Sequence, residues 1–492
     1  MKILSSSQIK ALDLKTIEQE RISSIELMER ASWAFVRQFE KIYAHQSTVH
    51  LFCGNGNNGG DGLAIGRILS TLSFNVQVYL IETSNAPSPD FSANLIAIHD
   101  HLLPHRIHDQ TQFPKLDANQ VCIDALLGTG LSRPVTGIAA QLIHHLNQSS
   151  CEIVAVDIAS GLYVDRPNDL EDAIIKPTYT FTFQVPKLSF MFPANDVFVG
   201  KWEVLDIQLD KPTLAAIETP YLYTDPLFVK KNRKHRPKFS HKGTFGHALI
   251  MAGSYGKMGA AILASKACLR SGVGLLTMHI PGCGYEIAQI SIPEAMVSVD
   301  DLFKNLSHMP ELAPYHAIGI GPGIDTNLNS VEILKQLLIH AKVPLVLDAD
   351  AINILAYHPD LISLLPPNTI LTPHPKEFER LTKKTINEFE RLETAMAFAS
   401  EHKVIICLKG AHTAVILPRG AVHFNSTGNP GMSTGGTGDV LTGIITGLLA
   451  QQYAPQDAAI LGVYIHGKAG DVAAAQRSES ALIASDLIEA LR

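Results

Sequence analysis

The sequence predicts an α/β protein made of two doubly wound domains, each a mostly parallel sheet wrapped by helices. Three observations predict it. The 492-residue chain exceeds one ordinary hydrophobic core. Short apolar runs with strand character alternate with segments of helical period along both halves. Between Leu209 and Lys238 that periodicity gives way to breakers and charge, so domains of residues 1–215 and 225–492 are expected. The basic run Lys230–Lys238 inside this stretch reads as a solvated linker rather than an anion site.

In the first half a helical stretch, Ser7–Tyr43, precedes the strand VHLFC, and VQVYLI, VCIDAL and EIVAVDI follow as further strands with helical patterns between them. The second half repeats this logic with HALIMAGS, VGLLTMHI, AIGIGPG, PLVLDADA, TILTPH and VIICLKG. With 46% apolar and 18% charged residues the composition is globular, and no short-period repeat interrupts it. A formal charge of -7 gives no global electrostatic basis for nucleic-acid binding. The six cysteines are scattered without CxxC pairs and read as reduced core residues, while no apolar run is long enough to span a bilayer. We therefore expect a cytoplasmic protein acting on small molecules, with neither nucleic acid nor membrane as partner, and a homo-oligomer.

The richest segment is GNPGMSTGGTGDVLTGIITGLLA, Gly428–Ala450. Val440, Leu441, Ile444, Ile445, Leu448 and Leu449 recur at helical spacing, so Gly435, Gly436 and Gly438 sit where a helix starts. Such a start offers unpaired N–H groups and a positive dipole end to a phosphate. Asp439, at that junction, can orient or deprotonate an attacking hydroxyl, so the segment reads as a phosphoryl-transfer site. The plainer reading is a helix cap beside a glycine turn.

Upstream in the same half, LKGAHT follows a buried strand, so Lys409 and the N–H groups of Gly410, Ala411, His412 and Thr413 can face phosphates, or simply form a hairpin turn. His374 lies between Pro373 and Pro375, which fixes its backbone. Asp348 and Asp350 either organise magnesium through water or cap the next helix. Gly321–Gly323 removes side chains where a flat ligand can lie, and equally suits a tight turn.

After VHLFC comes GNGNNGGDGLAIGRILS, in which Gly54, Gly56 and Gly59 satisfy the dinucleotide fingerprint and Glu82 ends the next strand. Asp61 complicates that reading, because a bare carboxylate repels a pyrophosphate; either the anion sits elsewhere on the loop or a cation intervenes. Asp124 and Asp157 also close strands, and ligands in open α/β sheets collect at such ends. Asn58, Asp124 and Ser160 are oxygen ligands suited to a hard cation, although each polar residue also suits a turn.

NNGGDG, DALLGTG and VDIASG together resemble the epimerase domain of the NAD(P)H-hydrate repair enzymes, with Ala159 where that family usually has proline. The second half is similar to their dehydratase domain along nearly its whole length: KGTFGHALIMAGS, MGAAILASKACLRSGVG, GPG, LDADAIN, TPHPKE, LKGAHT and GGTGD occur in order. Lys376 stands where the family often has glycine. The resemblance implies a Rossmann-like N-terminal domain and a ribokinase-like C-terminal one. It implies that Asn57, Asn58, Gly59, Gly60 and Asp61, with Gly128, Thr129, Gly130, Leu131, Ser132, Arg133 and Pro134, contact the hydrated dinucleotide (NADHX or NADPHX). Asp157 then binds it near the reacting carbon and is the candidate acid/base, while Asn58, Asp124 and Ser160 hold potassium (K⁺). In the second domain it implies that Ala260, Gly323, His374 and Asp439 contact the hydrated dinucleotide. Lys409, Gly410, Ala411, His412, Thr413 and Gly438 then contact the AMP portion of ADP, the phosphoryl donor used with Mg²⁺, and Asp439 is the base. Two rivals remain open at this point: a small-molecule kinase of the same superfold, and a non-enzymatic scaffold of the kind found in RNA-processing assemblies.

Overall fold

The computed structural model describes residues 1–83 and 86–491. Within it the chain divides between Thr219 and Pro220 into two compact units, Met1 counting with the second. In the N-terminal unit, seven strands form one parallel sheet: β1 (Thr48–Cys53), β2 (Asn75–Ile81), β3 (His105–Ile107), β4 (Val121–Ala125), β5 (Glu152–Val156), β6 (Tyr179–Phe183) and β7 (Lys201–Leu205). Their order, β3-β2-β1-β4-β5-β6-β7, is Rossmann-like, with the direction of winding reversing between β1 and β4. Loops leaving β1, β4 and β5 therefore meet at one end of the sheet. The expected helix over Ser7–Tyr43 is two helices, Ser6–Glu20 and Ser24–Phe39. Arg21, left-handed at φ 55, ends the first, and a capping box of Ser23 with Glu26 starts the second. Phe35 and Phe39 from the second helix pack with Leu51 and Phe181 of the sheet in the core.

The C-terminal unit holds a sheet of ten strands. In chain order these are β8 (Tyr221–Tyr223), β9 (His247–Met251), β10 (Leu275–Ile280), β11 (Met296–Val299), β12 (Ala317–Ile320), β13 (Leu345–Leu347), β14 (Ile370–Leu371), β15 (Ile405–Leu408), β16 (Ala414–Ile416) and β17 (Val422–Phe424). The spatial order is β11-β10-β9-β12-β13-β14-β15-β16-β17-β8, antiparallel only at β15-β16-β17. Winding reverses between β9 and β12, so the loops after β9, β12 and β13 face a common crevice. The boundary stretch Leu209–Lys238 is partly structured, with a helix at Lys211–Ala216, the edge strand β8 and a helix at Pro226–Asn232, and of the basic run Lys230–Lys238 only residues 230–232 lie in a helix. Behind the crevice the helix Thr437–Ala450 is buried from Val440 onward and lies directly on Met258–Arg270. A Cβ on Gly443 would sit 1.9 Å from the Ala264 carbonyl oxygen, so that contact requires glycine. All six cysteines are free thiols. Among the described residues no helix is long and apolar enough to cross a membrane.

Candidate active sites

The N-terminal site starts at the end of β1. Gly56 caps the helix Asn57–Thr71, and the turn before it is so tight that a Cβ on Gly59 would lie 1.7 Å from the Gly54 carbonyl oxygen. This packing seats Asn58 in the interior, where its Nδ2 donates to Val156 O at 3.0 Å while its Oδ1 is buried without a hydrogen-bond partner. Asp124, fully buried, accepts from Ser160 N at 2.8 Å and Ser160 Oγ at 2.6 Å, and burial pushes its carboxyl up to about 6. Gly128 lies against the Asn58 side chain, and Leu127 N donates to Ser160 Oγ at 2.8 Å. The three residues read from sequence as potassium ligands thus converge on one strand end. Asn58 Oδ1 presents an acceptor there that the protein itself leaves unused, which fits a hard cation.

One residue beyond β5, Asp157 takes the left-handed conformation at φ 67, which turns its side chain toward β6. Its Oδ1 accepts from Phe183 N at 2.8 Å, Thr182 Oγ1 at 3.1 Å and Lys187 Nζ at 2.8 Å. Lys187 is wholly buried and also reaches the carbonyls of Val185 and Phe183. Burial and the Asp157 charge push Asp13 up to about 7, and burial followed by Asp157, Asp13 and Asp90 pushes Asp61 well upward. That upward shift works against a full charge on Asp61 and so weakens the repulsion expected between it and a pyrophosphate. The loop Gly128–Pro134 borders the site and is tethered where Ser6 Oγ donates to Thr129 O and Arg166 donates to Ser132 O. Asn57 and Gly60 lie in the first turn of the Asn57–Thr71 helix, and Gly130, Leu131, Arg133 and Pro134 lie in this loop.

At the C-terminal site, Gly436 is left-handed at φ 92 and starts the helix Thr437–Ala450 with Asp439 in its first turn. Burial, reinforced by Asp348 and Asp350, pushes Asp439 up to about 7 although Lys409 opposes the shift. Lys409 Nζ bonds Asp348 Oδ1 at 2.8 Å, and the other oxygen of Asp348 accepts from Thr442 Oγ1 at 2.6 Å. Asp348 is the residue before the helix Ala349–Tyr357 yet its side chain does not cap it, so the capping reading fails for this residue. Asp350 accepts from Asp325 N at 2.9 Å and faces Lys257 Nζ at 3.6 Å. A Cβ on Gly438 would stand 3.1 Å from Lys409 Nζ and 3.8 Å from Asp348 Oδ2, so Gly438, Lys409, Asp348 and Asp439 share one place.

Gly323, at φ 66, abuts Lys257 and Ala260, joining the β12 loop to the start of Met258–Arg270. His374 caps the helix Pro375–Leu381, its Nδ1 accepting from Glu377 N at 3.2 Å while Glu377 accepts from His374 N at 2.8 Å. Burial lowers its pKa. Gly410 and Thr413 bond across the turn between β15 and β16, where Ala411 also lies, and His412 Nδ1 contacts Asn425 O at 2.9 Å.

Sequence reasoning missed Asp13, Lys187 and His466. Lys187 carried a signal, a lone lysine in the apolar run TFTFQVPKLSFMF, and Asp13 stood beside the buried Leu12 and near the buried Thr16. His466 donates Nε2–H to Thr437 O at 2.9 Å, and burial holds it down at about 4. In sequence it is an isolated histidine in a long helix.

Known proteins resemble the chain along its whole length. A family model described as YjeF-related protein N-terminus matches residues 24–189, and one described as NAD(P)H-hydrate dehydratase matches residues 248–492. The bifunctional NAD(P)H-hydrate repair enzyme Nnr of Moorella thermoacetica is 35% identical, the match covering 100% of this chain and 96% of that protein. The protein of the same name from Escherichia coli K12 is 33% identical over 95% of this chain and 88% of its own. A solved ribokinase-like superfamily protein from Enterococcus faecalis V583 aligns at 29% identity with a TM-score of 0.50, covering 56% of this chain and 95% of that one.

Proposed function

The chain belongs to the bifunctional NAD(P)H-hydrate repair enzymes, and from that premise we propose how its two sites divide the work. The protein epimerises hydrated NADH and NADPH and dehydrates one epimer back to the reduced cofactor. The observation that carries this reading is the end-to-end match to Nnr, which spans both sites in one chain. Pairing the activities makes chemical sense, since a dehydratase selective for the S epimer would leave the R epimer unrepaired.

In the epimerase site, the hydrate lies along Asn57–Asp61 and Gly128–Pro134 with its C6 beside Asp157. Asp157 serves as acid and base for the ring opening or water loss and return that interconverts R and S. Its bond to Lys187, 2.8 Å, supports the role by holding the carboxylate in place. Asn58, Asp124 and Ser160 would hold a potassium ion, which supplies fixed positive charge near the substrate's pyrophosphate. The unused Oδ1 of Asn58 supports that assignment.

The second site uses ADP. Lys409–Thr413 and Gly438 take the AMP portion, and Ala260, Gly323, His374 and Asp439 take the hydrate. Hydroxide is a poor leaving group, so the C6 hydroxyl is first phosphorylated: its oxygen bonds the β-phosphorus of ADP, AMP departs, and Asp439 receives the hydroxyl proton. Phosphate then leaves with its C–O bonding pair, and loss of a ring proton restores the dihydropyridine. Asp439 suits the role because a carboxyl pushed up to about 7 holds a proton better than an ordinary one. N–H groups at Gly435–Gly438 stabilise the transferring phosphoryl group. Mg²⁺ bound with the nucleotide would screen the charge of its phosphates; Asp348 is already engaged by Lys409 and Thr442.

The test is incubation of the purified protein with mixed R and S hydrated NADH, Mg²⁺ and either ADP or ATP. Full return of reduced-nicotinamide absorbance with ADP, faster than with ATP, is expected. No return with either nucleotide would sink the repair reading, and a phosphorylated product that accumulates would favour a kinase.

A further inference from the structure

Beyond β10 and β11, on the far side of β9 from β12, a group of side chains takes no part in either reaction. His279 is the penultimate residue of β10, and Asp300 and His308 bracket the loop that follows β11. His279 Nε2 lies 3.5 Å from Asp300 Oδ2, and His308 Nδ1 lies 3.3 Å from the same oxygen. Donors around a tetrahedral ion with bonds of about 2.0–2.2 Å stand about 3.3–3.5 Å apart, so both separations are tetrahedral edges.

We propose that His279, Asp300 and His308 form a structural site for a divalent transition metal, with Zn²⁺ the best match to its two imidazoles and one carboxylate. Two of the three ligands, His279 and Asp300, are supported from behind. His279 Nδ1 is 3.0 Å from Ser298 Oγ, a partner that takes the Nδ1 proton and leaves Nε2 as the ligating nitrogen. Asp300 is fixed by Leu302 N at 2.9 Å, Ser307 N at 2.7 Å, Ser307 Oγ at 2.6 Å and His308 N at 3.1 Å. His308 Nδ1 is a buried nitrogen with no hydrogen-bond partner, while part of its ring reaches solvent and gives an ion a way in. The competing arrangement has Nε2–H of His279 donating to the His308 carbonyl 3.1 Å away, and metal binding replaces that proton.

The ion would act as a clip. Leu302 O and Phe303 O accept from Gly282 N and Cys283 N at 2.9 Å, and Lys304 O accepts from Tyr255 N at 2.9 Å. Tyr255 belongs to the loop that leads into Met258–Arg270, the helix carrying Ala260. Holding the loop over residues 300–308 therefore steadies the wall of the crevice without adding to its chemistry.

The full-length protein, stripped with a chelator and then given Zn²⁺ alone, is desalted and its metal measured; Co²⁺ serves as a spectroscopic probe in parallel. One retained Zn²⁺ per chain is expected, with a tetrahedral Co²⁺ spectrum and a raised Tm on Zn²⁺ addition. His308→Gln removes a half-exposed ligand, should keep the metal-free Tm, and should bind Zn²⁺ at least tenfold more weakly. Asp300→Asn provides a second ligand loss. No Zn²⁺ retained by the parent, or retention unchanged in His308→Gln, would overturn the proposal.

Discussion

Asp157 and Lys187 show how much one buried pair can decide. Breaking a buried ion pair from one side leaves a charge without compensation, which costs about 3–5 kcal/mol. Lys187→Met should therefore lower the stability of the N-terminal unit by roughly that amount in urea unfolding. Asp157→Ala, in contrast, should abolish epimerisation while leaving dehydration of the S epimer intact; loss of both activities together would contradict the division into two sites. Asp439 carries the opposite sign. Its carboxyl stands at about 7 in the folded chain against 3.8 ordinarily, so between those values the folded state keeps a proton that the unfolded chain releases. Stability from this group is fully present below pH 3.8 and falls as pH rises through about 7. Asp439→Asn should thus stabilise the protein at pH 8 by on the order of 2 kcal/mol in chemical unfolding while slowing dehydration at least ~100-fold. In the parent, kcat/KM for dehydration should rise with pH and level off above about 7. Asp439 was legible in sequence because the glycines and the apolar period place it at a helix start. Lys187 was not, because its 30-residue separation from Asp157 is closed only by the pairing of β5 with β6.

The glycines of the two helix starts do different jobs. Gly59 is locked by backbone, with Gly54 O where its Cβ would go, whereas nothing lies within 4 Å of a Cβ on Gly435. Gly59→Ala should cost about 3 kcal/mol or more, because neither backbone segment can yield. Gly435→Ala should leave the Tm within experimental error yet raise KM for ADP, since its added methyl meets only the incoming phosphate. A melting curve and a nucleotide titration of each variant separate the two cases. Most strands were legible as apolar runs, VHLFC and EIVAVDI among them. Strands β3, β6, β7, β8, β11, β16 and β17 were missed, for several of them with a physical reason. β3 and β8 are three residues long, too short for a period, and β7, KWEVL, alternates buried and exposed only loosely. The break at Arg21 was hidden because Ser6–Glu20 and Ser24–Phe39 are separated by one short turn whose left-handed residue is an arginine rather than a glycine.

For the molecule as a whole, each unit has its own core and its own carboxylate site. Repair of the R epimer then needs both activities, though not in one chain. A mixture of Asp157→Ala and Asp439→Asn proteins should repair mixed hydrate to completion where neither does alone, at a rate proportional to concentration. Failure of the mixture would mean that the intermediate does not pass through solution. The two-unit plan was legible in the break of periodicity near residue 220, but the content of that break was not, since its helices and strand are defined by what they pack on.

Strand β8 gives the junction a temporal meaning. It is the first strand made after Thr219, and β17, its neighbour in the sheet, follows some 200 residues later. At about 5–20 residues per second, a ribosome needs roughly 10–40 s to supply that partner. Tyr223 can meanwhile exchange backbone hydrogen bonds with Met1, whose N and O each lie 2.7 Å from its O and N, but the edge that faces β17 waits while every other strand of the sheet is made. A three-residue strand is a small hazard over such an interval, and its brevity keeps the nascent edge from recruiting a neighbouring chain.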